Sequence, residues 1–418
     1  MEEVAVNQKK IGKSEVYILG VYITLFLFSI IESYSASSRE IAMSGSIFMP
    51  MLKHLFILCS GAGLMYWISR MSLSKLMRFS VFFTALTVVG MVWVLFFGAN
   101  LNSGQRWVSL GIATVQPSEF AKVAVVFILS YLLASNIDKK TGIISTKGLI
   151  MCVSVVTIFG GLLLLQGLTN TLLFMGISFS ILIVGGTKWS QLGKVLLVYM
   201  VVGLLFLLIK TAVSDSDSGD SALRVDTWSS RIDSFLGMYF GPPAYTIPIT
   251  SDNDQAMYSF MAQGNGGLAG VGIGNSRECS RLPLAFSDYV FAIIVEDLGF
   301  IGGLFLVIVY FKLLQRASGL AQRCSNAYPS FLAMGMAVLI ALQAFFHMAI
   351  TTGLFPVSGQ PLPLISKGGS SIWVTSVAFG VMLCVSRHAV RTGKKTEARK
   401  EKESLPEALR ADNPTMDE

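Results

Sequence analysis

Apolar runs about twenty residues long recur through this 418-residue chain, separated mostly by short polar connections. A helix must be about 20 residues long to cross the hydrocarbon core of a membrane. Inside lipid every backbone N–H and C=O has to be paired within the protein, so runs of this kind are helices. Ten fit the length, at roughly 16–33, 50–69, 77–98, 120–136, 148–166, 171–187, 195–213, 289–311, 329–353 and 371–387. Composition agrees: 53% of residues are hydrophobic and 14% charged, against roughly 25% charged in soluble domains. Mean hydropathy is +0.64. This excludes a disordered chain, a secreted disulfide scaffold and an ordinary cytosolic enzyme. The expected fold is an all-α polytopic membrane protein: residues 1–15 a cytoplasmic tail, 16–387 the ten-helix domain, and 388–418 a polar, proline-containing tail read as disordered.

The net charge of +7 does not call for a nucleic acid, because the basic residues sit in loops between the apolar runs. Assigning the N-terminus to the cytoplasm places 22 of the 32 basic residues on that face, among them Lys9, Lys75, Lys139, Arg316 and Arg399. The positive-inside rule therefore puts both termini in the cytoplasm. The first run, after Lys9, Lys10 and Lys13, reads as an uncleaved start-transfer segment. Cys59, Cys152, Cys279, Cys324 and Cys384 are scattered and show no CxxC spacing, and there are three histidines. Neither a disulfide framework nor a zinc site is indicated.

Two connections stand out. Residues 214–287, between the seventh and eighth helices, form a long outer loop that opens on the acidic stretch Ser214 to Ser221. In Val225 to Gly237 that follows, Trp228, Ile232, Phe235 and Leu236 share one helical face, which suits an interfacial helix or one packed on the bundle. Between the ninth and tenth helices, Phe355 to Ser371 holds three prolines yet is too apolar for an exposed loop. Non-helical backbone at membrane depth persists only where protein or a wet cavity covers it, so this is read as a re-entrant outer loop.

Ionisable residues in such surroundings are costly and mark candidate sites. In Gln116-Pro-Ser-Glu-Phe-Ala-Lys122, Pro117 suits the first helical turn, and Ser118 and Glu119 suit its positive end. Glu119 and Lys122, three apart, share a face and can pair. Arg106 beside Trp107 suits a lipid phosphate or simple interfacial anchoring. Asp288, at the junction of the long loop and the eighth helix, suits a helix N-cap or a general base shielded by apolar walls. Glu296 and Asp297 lie deeper, where pairing with a cation would anchor the bundle. The stretch Gly264 to Ser276 permits tight turns or close approach to a ligand, and lacks the Gly-Lys-[Ser/Thr] ending of a P-loop.

Together these pieces resemble the SEDS family (shape, elongation, division and sporulation), which includes FtsW, RodA and SpoVE. The resemblance rests on Tyr34-Ser-Ala-Ser37, Gly104 with Arg106-Trp107, Gln116-Pro-Ser-Glu119 with Lys122, and Gly272-Ile-Gly-Asn-Ser276. It rests further on Ser287-Asp288-Tyr289 and on Leu362-Pro-Leu-Ile-Ser366 with Gly368-Gly-Ser-Ser371. Gly272 to Ser276 and Arg231-Ile-Asp-Ser-Phe235 look most like the FtsW division branch. The resemblance implies a peptidoglycan glycosyltransferase that polymerises lipid II at the outer face of the bacterial cytoplasmic membrane, at the division septum. It implies a class B penicillin-binding protein and other division proteins as partners, with membrane lipids around the chain and no nucleic acid. Asp288 aligns with the family's essential aspartate and would act as general base. Arg106, Lys122 or a divalent cation (Mg or Mn) would stabilise the leaving pyrophosphate, with no organic cofactor. Glu119, Ser366, Lys367, Gly368 and Ser370 would line the substrate site, supported by Gln116, Pro117, Ser118, Glu296 and Asp297.

The chain also departs from the family. Leu168 stands where many members carry an acid at the start of the sixth helix, Lys367 replaces a usual tyrosine, and His347 and Thr351 replace common asparagines. Two rival readings are a lipid II flippase, which needs a polar path through the bundle, and a catalytically silent division scaffold. The crowding of Arg106, Glu119, Lys122, Asp288 and Lys367 toward the outer end favours the enzyme.

Overall fold

A computed structural model of the chain describes residues 2–36, 45–46, 48–97, 99–101, 104–109, 114–138, 142–214, 225–241, 246–250, 253–282, 284–391 and 403–409. The helices are α1 (Glu2–Ser35), α2 (Phe48–Ser69), α3 (Leu73–Phe97), α4 (Pro117–Asn136), α5 (Thr146–Gln166), α6 (Leu168–Val184) and α7 (Trp189–Ser214). They continue with α8 (Val225–Phe240), α9 (Asp254–Gly266), α10 (Val290–Ala321), α11 (Ala327–Thr351) and α12 (Gly369–Arg391). Eight of the described helices are long and apolar enough to cross a membrane. The protein is an all-α polytopic membrane protein. The apolar α6, at 17 residues, is shorter than those eight.

Helices α4, α11 and α12 form the enclosed centre, whereas α2 and α3 leave most of their surface outward. The outward residues are large and apolar, including Phe48, Phe56 and Trp67 on α2 and Phe82, Val89 and Phe96 on α3. Lipid is the medium in which such a surface is stable. Helix α12 packs on α2, α1 and α11, and α11 packs on α10, α4 and α6.

The structure adds detail that hydropathy does not carry. Residues 2–15 are helical and continuous with the apolar part of α1, as propagation adds a hydrogen bond per residue once a helix is nucleated. Between α3 and α4 lies a small antiparallel sheet, β1 (Ala99–Leu101), β2 (Gly104–Ser109) and β3 (Thr114–Val115), in that spatial order. Ala99 faces Trp107 across one pairing and Val108 faces Val115 across the other. The long connection after α7 contains α8 and α9, and its acidic opening lies outside the described residues from 215 on. Of the tail read as disordered, residues 403–409 fold onto the bundle: Leu405 and Leu409 are fully buried, and Ser74 Oγ donates to Ser404 O at 3.3 Å. Burying two leucines supplies the driving force for that docking.

Helix α10 is broken at Gly299 (φ 71°), and the glycine-rich stretch crosses it there. Val271 N donates to Glu296 O and Gly272 N to Asp297 O, both at 2.9 Å, and Phe300 N donates to Gly267 O at 2.9 Å. These bonds satisfy the backbone groups that the break would leave unpaired at membrane depth. A Cβ at Gly270 would lie 2.1 Å from Asp297 O. Gly266 and Gly270 thus serve close approach of backbone to backbone.

Candidate active site

The site is built at the end of the bundle where α4, α6 and α10 begin and α11 ends. Pro117 opens α4 at its first position, with Gln116 before it and Glu119 N donating to Gln116 O at 3.1 Å. Glu119 and Lys122 then meet as their spacing requires. Lys122 Nζ lies 2.7 Å from Glu119 Oε1 and donates to Gln343 Oε1 of α11 at 3.1 Å. Gln343 Nε2 returns a bond to Glu119 Oε2 at 3.3 Å and another to Pro361 O at 3.3 Å. With side chains 1% and 2% exposed, this is a closed pair tying α4 to α11 and to the loop beyond. Ser118 is buried beside it with its hydroxyl unpartnered.

Asp288 is not a helix cap. Helix α10 starts at Val290 after Tyr289, and residues 284–288 form successive turns in which Asp288 N donates to Leu284 O at 3.0 Å. Leu284 itself has φ 57°, and Leu364 in the facing loop has φ 66°. Non-glycine residues in that region are uncommon and cluster at functional sites. Two strained turns therefore face each other here.

The loop from Phe355 to Gly368 is stitched to the Asp288 turn. Ser366 Oγ donates to Ser287 O at 2.6 Å and accepts from Leu362 N at 2.8 Å, while Lys367 N donates to Phe286 O at 2.9 Å. Lys367 Nζ stands 5.8 Å from the centre of the Phe286 ring. Gly368 N donates to Ser366 O at 2.8 Å, and Ser370 is buried in the first turn of α12. So Ser366, read from sequence as lining the substrate site, is occupied in holding the aspartate's turn. Gly359 lies directly against Asp288: a Cβ there would sit 2.8 Å from Oδ2. The carboxylate is half-buried, and desolvation pushes its pKa up to about 6, against the opposing pull of Ser287 and the Arg231 charge.

Several partners in the site lie outside what sequence reasoning chose. Arg231 of α8 donates through Nη1 to Val357 O at 3.2 Å, and Tyr239 OH donates to Gly353 O at 2.8 Å. These bonds tether α8 to the loop and to the end of α11. His347 and Gln360 bond at 2.6 Å, and Gln360 Nε2 donates to Asn170 Oδ1 of α6 at 2.6 Å. One turn before Asn170, Gln166 is buried with neither side-chain atom paired, and Ser358 Oγ and Gln360 Oε1 are also unpartnered. Unpaired buried polar atoms are rare and mark places where water or a polar ligand belongs. In sequence Arg231 and His347 stood out only by comparison with the family, and Asn170, Ser358 and Gln360 only as polar residues beside apolar runs.

Glu296 and Asp297 differ from expectation. Glu296 accepts from Ser276 Oγ, from Arg277 N at 3.1 Å and from Asn265 Nδ2 at 3.3 Å; Asp297 accepts from Gly274 N at 3.5 Å. Among the described residues neither forms an ion pair. Backbone N–H groups of the crossing loop take the place of the anticipated cation. Arg106 lies on β2, but its side chain, like those of Trp228 and Ile232, is outside the described residues.

Comparison with known proteins decides the family. Residues 15–391 match the family model described as "Cell cycle protein", FTSW_RODA_SPOVE. The chain belongs to this family. SEDS relatives include a stage V sporulation protein E of Bacillus subtilis, 31% identical over 394 residues, covering 89% of this chain and 97% of the relative. A probable peptidoglycan glycosyltransferase FtsW of Trichlorobacter lovleyi is 30% identical over 400 residues, 92% and 96% respectively. The fold matches the crystal structure of the Thermus thermophilus rod shape determining protein RodA, with a TM-score of 0.60 at 20% identity over 88% of this chain and 95% of that one.

Proposed function

We propose that this SEDS protein is a peptidoglycan glycosyltransferase that polymerises lipid II at the outer face of the cytoplasmic membrane, in septal wall synthesis. In this reading α6 and α7 also span, giving ten crossings with both termini in the cytoplasm, and a class B penicillin-binding protein forms the cross-links. A relative named as a probable peptidoglycan glycosyltransferase supports the reaction class. The observation that carries it is Asp288: a half-buried carboxylate freed from helix capping, in a strained turn buttressed by a second strained loop.

A sugar hydroxyl of one lipid-linked disaccharide attacks the anomeric carbon of another. The new C–O bond forms as the bond to undecaprenyl pyrophosphate breaks, and Asp288 takes the hydroxyl proton. A base is most useful when its pKa lies near the working pH, and about 6 leaves Asp288 ionised at neutrality yet basic enough to accept a proton. Lys122 is engaged with Glu119 and Gln343, so the leaving group is assigned to Lys367 and Arg106. The unpaired Gln166 amide and Ser358 hydroxyl suit sugar or pyrophosphate oxygens, and Gln360 Oε1 suits a sugar hydroxyl.

The family reading carries a divalent cation. Among the described residues no three or more His, Cys, Asp or Glu side chains cluster to hold one. A single carboxylate holds such an ion only together with phosphate oxygens, so Asp288 would share it with the substrate's pyrophosphate.

The test is glycan polymerisation in liposomes with purified lipid II and the class B partner, comparing wild type with Asp288→Asn and Asp288→Ala. Polymer from wild type alone is expected. Undiminished polymer from folded variants would remove Asp288 as base. Lipid II crossing the membrane without any polymer would favour the flippase.

A further inference from the structure

His347 lies wholly buried on α11, between two elements that hold the candidate base but belong to distant parts of the chain. On one side its Nδ1 is 2.6 Å from Gln360 O. A carbonyl oxygen only accepts, so Nδ1 carries the proton. On the other side Phe291 N donates to Nε2 at 3.4 Å, so Nε2 is the bare nitrogen of a neutral ring. Phe291 is in the first turn of α10, where backbone N–H groups have no partner within the helix. One imidazole thus satisfies an orphan donor three residues after Asp288 and a carbonyl one residue after Gly359, the residue that presses on Asp288 Oδ2.

The rest of the frame leaves this ring as the internal spacer. Gln360 is tied outward to Asn170, Pro361 to Gln343 and Val357 to Arg231, so the loop is fixed at its margins. Ser366 and Lys367 join its far end to residues just before Asp288. Tyr310 OH of α10 also donates to the loop, at Pro363 O (2.7 Å), but His347 makes its two bonds beside the aspartate itself, one residue after Gly359 and three after Asp288. We infer that His347 is a positioning residue: as a neutral, two-ended bridge between Phe291 N–H and Gln360 C=O, it sets where Gly359 meets the Asp288 carboxylate. It touches neither substrate nor the reacting atoms. The inference rests on Asp288 being the base.

Three substitutions test it with lipid II polymerisation by the full chain and its partner. His347→Leu removes both bonds. His347→Asn keeps a donor near Nδ1, and His347→Gln keeps an acceptor near Nε2. A misplacement of about 1 Å costs about 100-fold in rate, so the leucine variant is expected to lose about 10- to 100-fold in kcat. KM should rise as well, since Ser358 and Gln360 sit on the loosened loop, so kcat at saturating lipid II carries the test. Asn and Gln should fall between. With the loop loosened, water reaches Asp288 and the acid limb of the pH profile should move below about 6.

Wild-type kcat and pH profile in folded His347→Leu, with Asp288→Asn inactive, would overturn the positioning role while leaving the base assignment standing. Loss of folded protein in all three variants, with wild-type kcat per folded molecule, would also overturn it, as a merely structural role. Activity in Asp288→Asn would instead sink the base assignment and this inference with it. If only the leucine variant fails to fold, the Asn and Gln variants decide: intermediate kcat supports the bridge, wild-type kcat refutes it.

Discussion

Replacing Gly359 by alanine tests the geometry at the base with a single methyl group. The added Cβ would lie 2.8 Å from Asp288 Oδ2 and 3.4 Å from its Cγ. Ordinary contact begins at 3.4 Å, so about 0.6 Å must open between the loop and the carboxylate. The loop is pinned through His347, Gln343 and Arg231, whereas the carboxylate is the end of a side chain, so the carboxylate moves. Gly359 does not have a left-handed φ, so alanine adds no backbone strain there. If a 1 Å displacement costs about 100-fold, 0.6 Å costs about 15-fold, or about 1.6 kcal/mol in the barrier. Polymerisation of purified lipid II in liposomes would read this as a fall in kcat, with thermal unfolding in detergent close to wild type. Full activity in a folded Gly359→Ala protein would refute the placement of Asp288 against this loop.

Activity should fall as pH drops through about 6, because the base works ionised and its pKa stands near that value. Arg231→Gln removes a charge that favours the carboxylate, so the acid limb of kcat/KM should move to higher pH; a limb that stays put would exclude that influence. Glu119→Gln or Lys122→Met alone should destabilise the protein by about 3–5 kcal/mol, since each leaves a buried charge unpaired. The double variant should recover much of the loss in a melting experiment, and additive losses would count against the pair. Gly299→Ala (φ 71°, with Leu268 O at 2.3 Å from the new Cβ) should prevent folding, seen as loss of the monodisperse peak on size exclusion.

The chain's apolar periods were enough to call a polytopic helical membrane protein, because lipid leaves a spanning backbone few other solutions. Local spacing was enough for the Glu119–Lys122 pair, for Pro117 opening its helix and for a non-helical loop after α11, since each depends on residues within a turn or on prolines that block one. The sequence also singled out Asp288, but left open whether it was a cap. Tertiary structure decided that, by starting α10 two residues later. It also decided what the separated polar residues do. Ser366 reaches Ser287 across 79 positions, Arg231 reaches Val357 across 126, and Gln360 reaches Asn170 across 190. No periodicity encodes such pairs, which depend on how the helices tilt and how far the loop dips between them. Among the described residues Glu296 and Asp297 meet no cation, because the glycine-rich connection about twenty residues upstream folds back with backbone N–H groups. Sequence determined that the chain is a helical membrane protein and which polar residues stand out within it; packing determined which of them meet around Asp288.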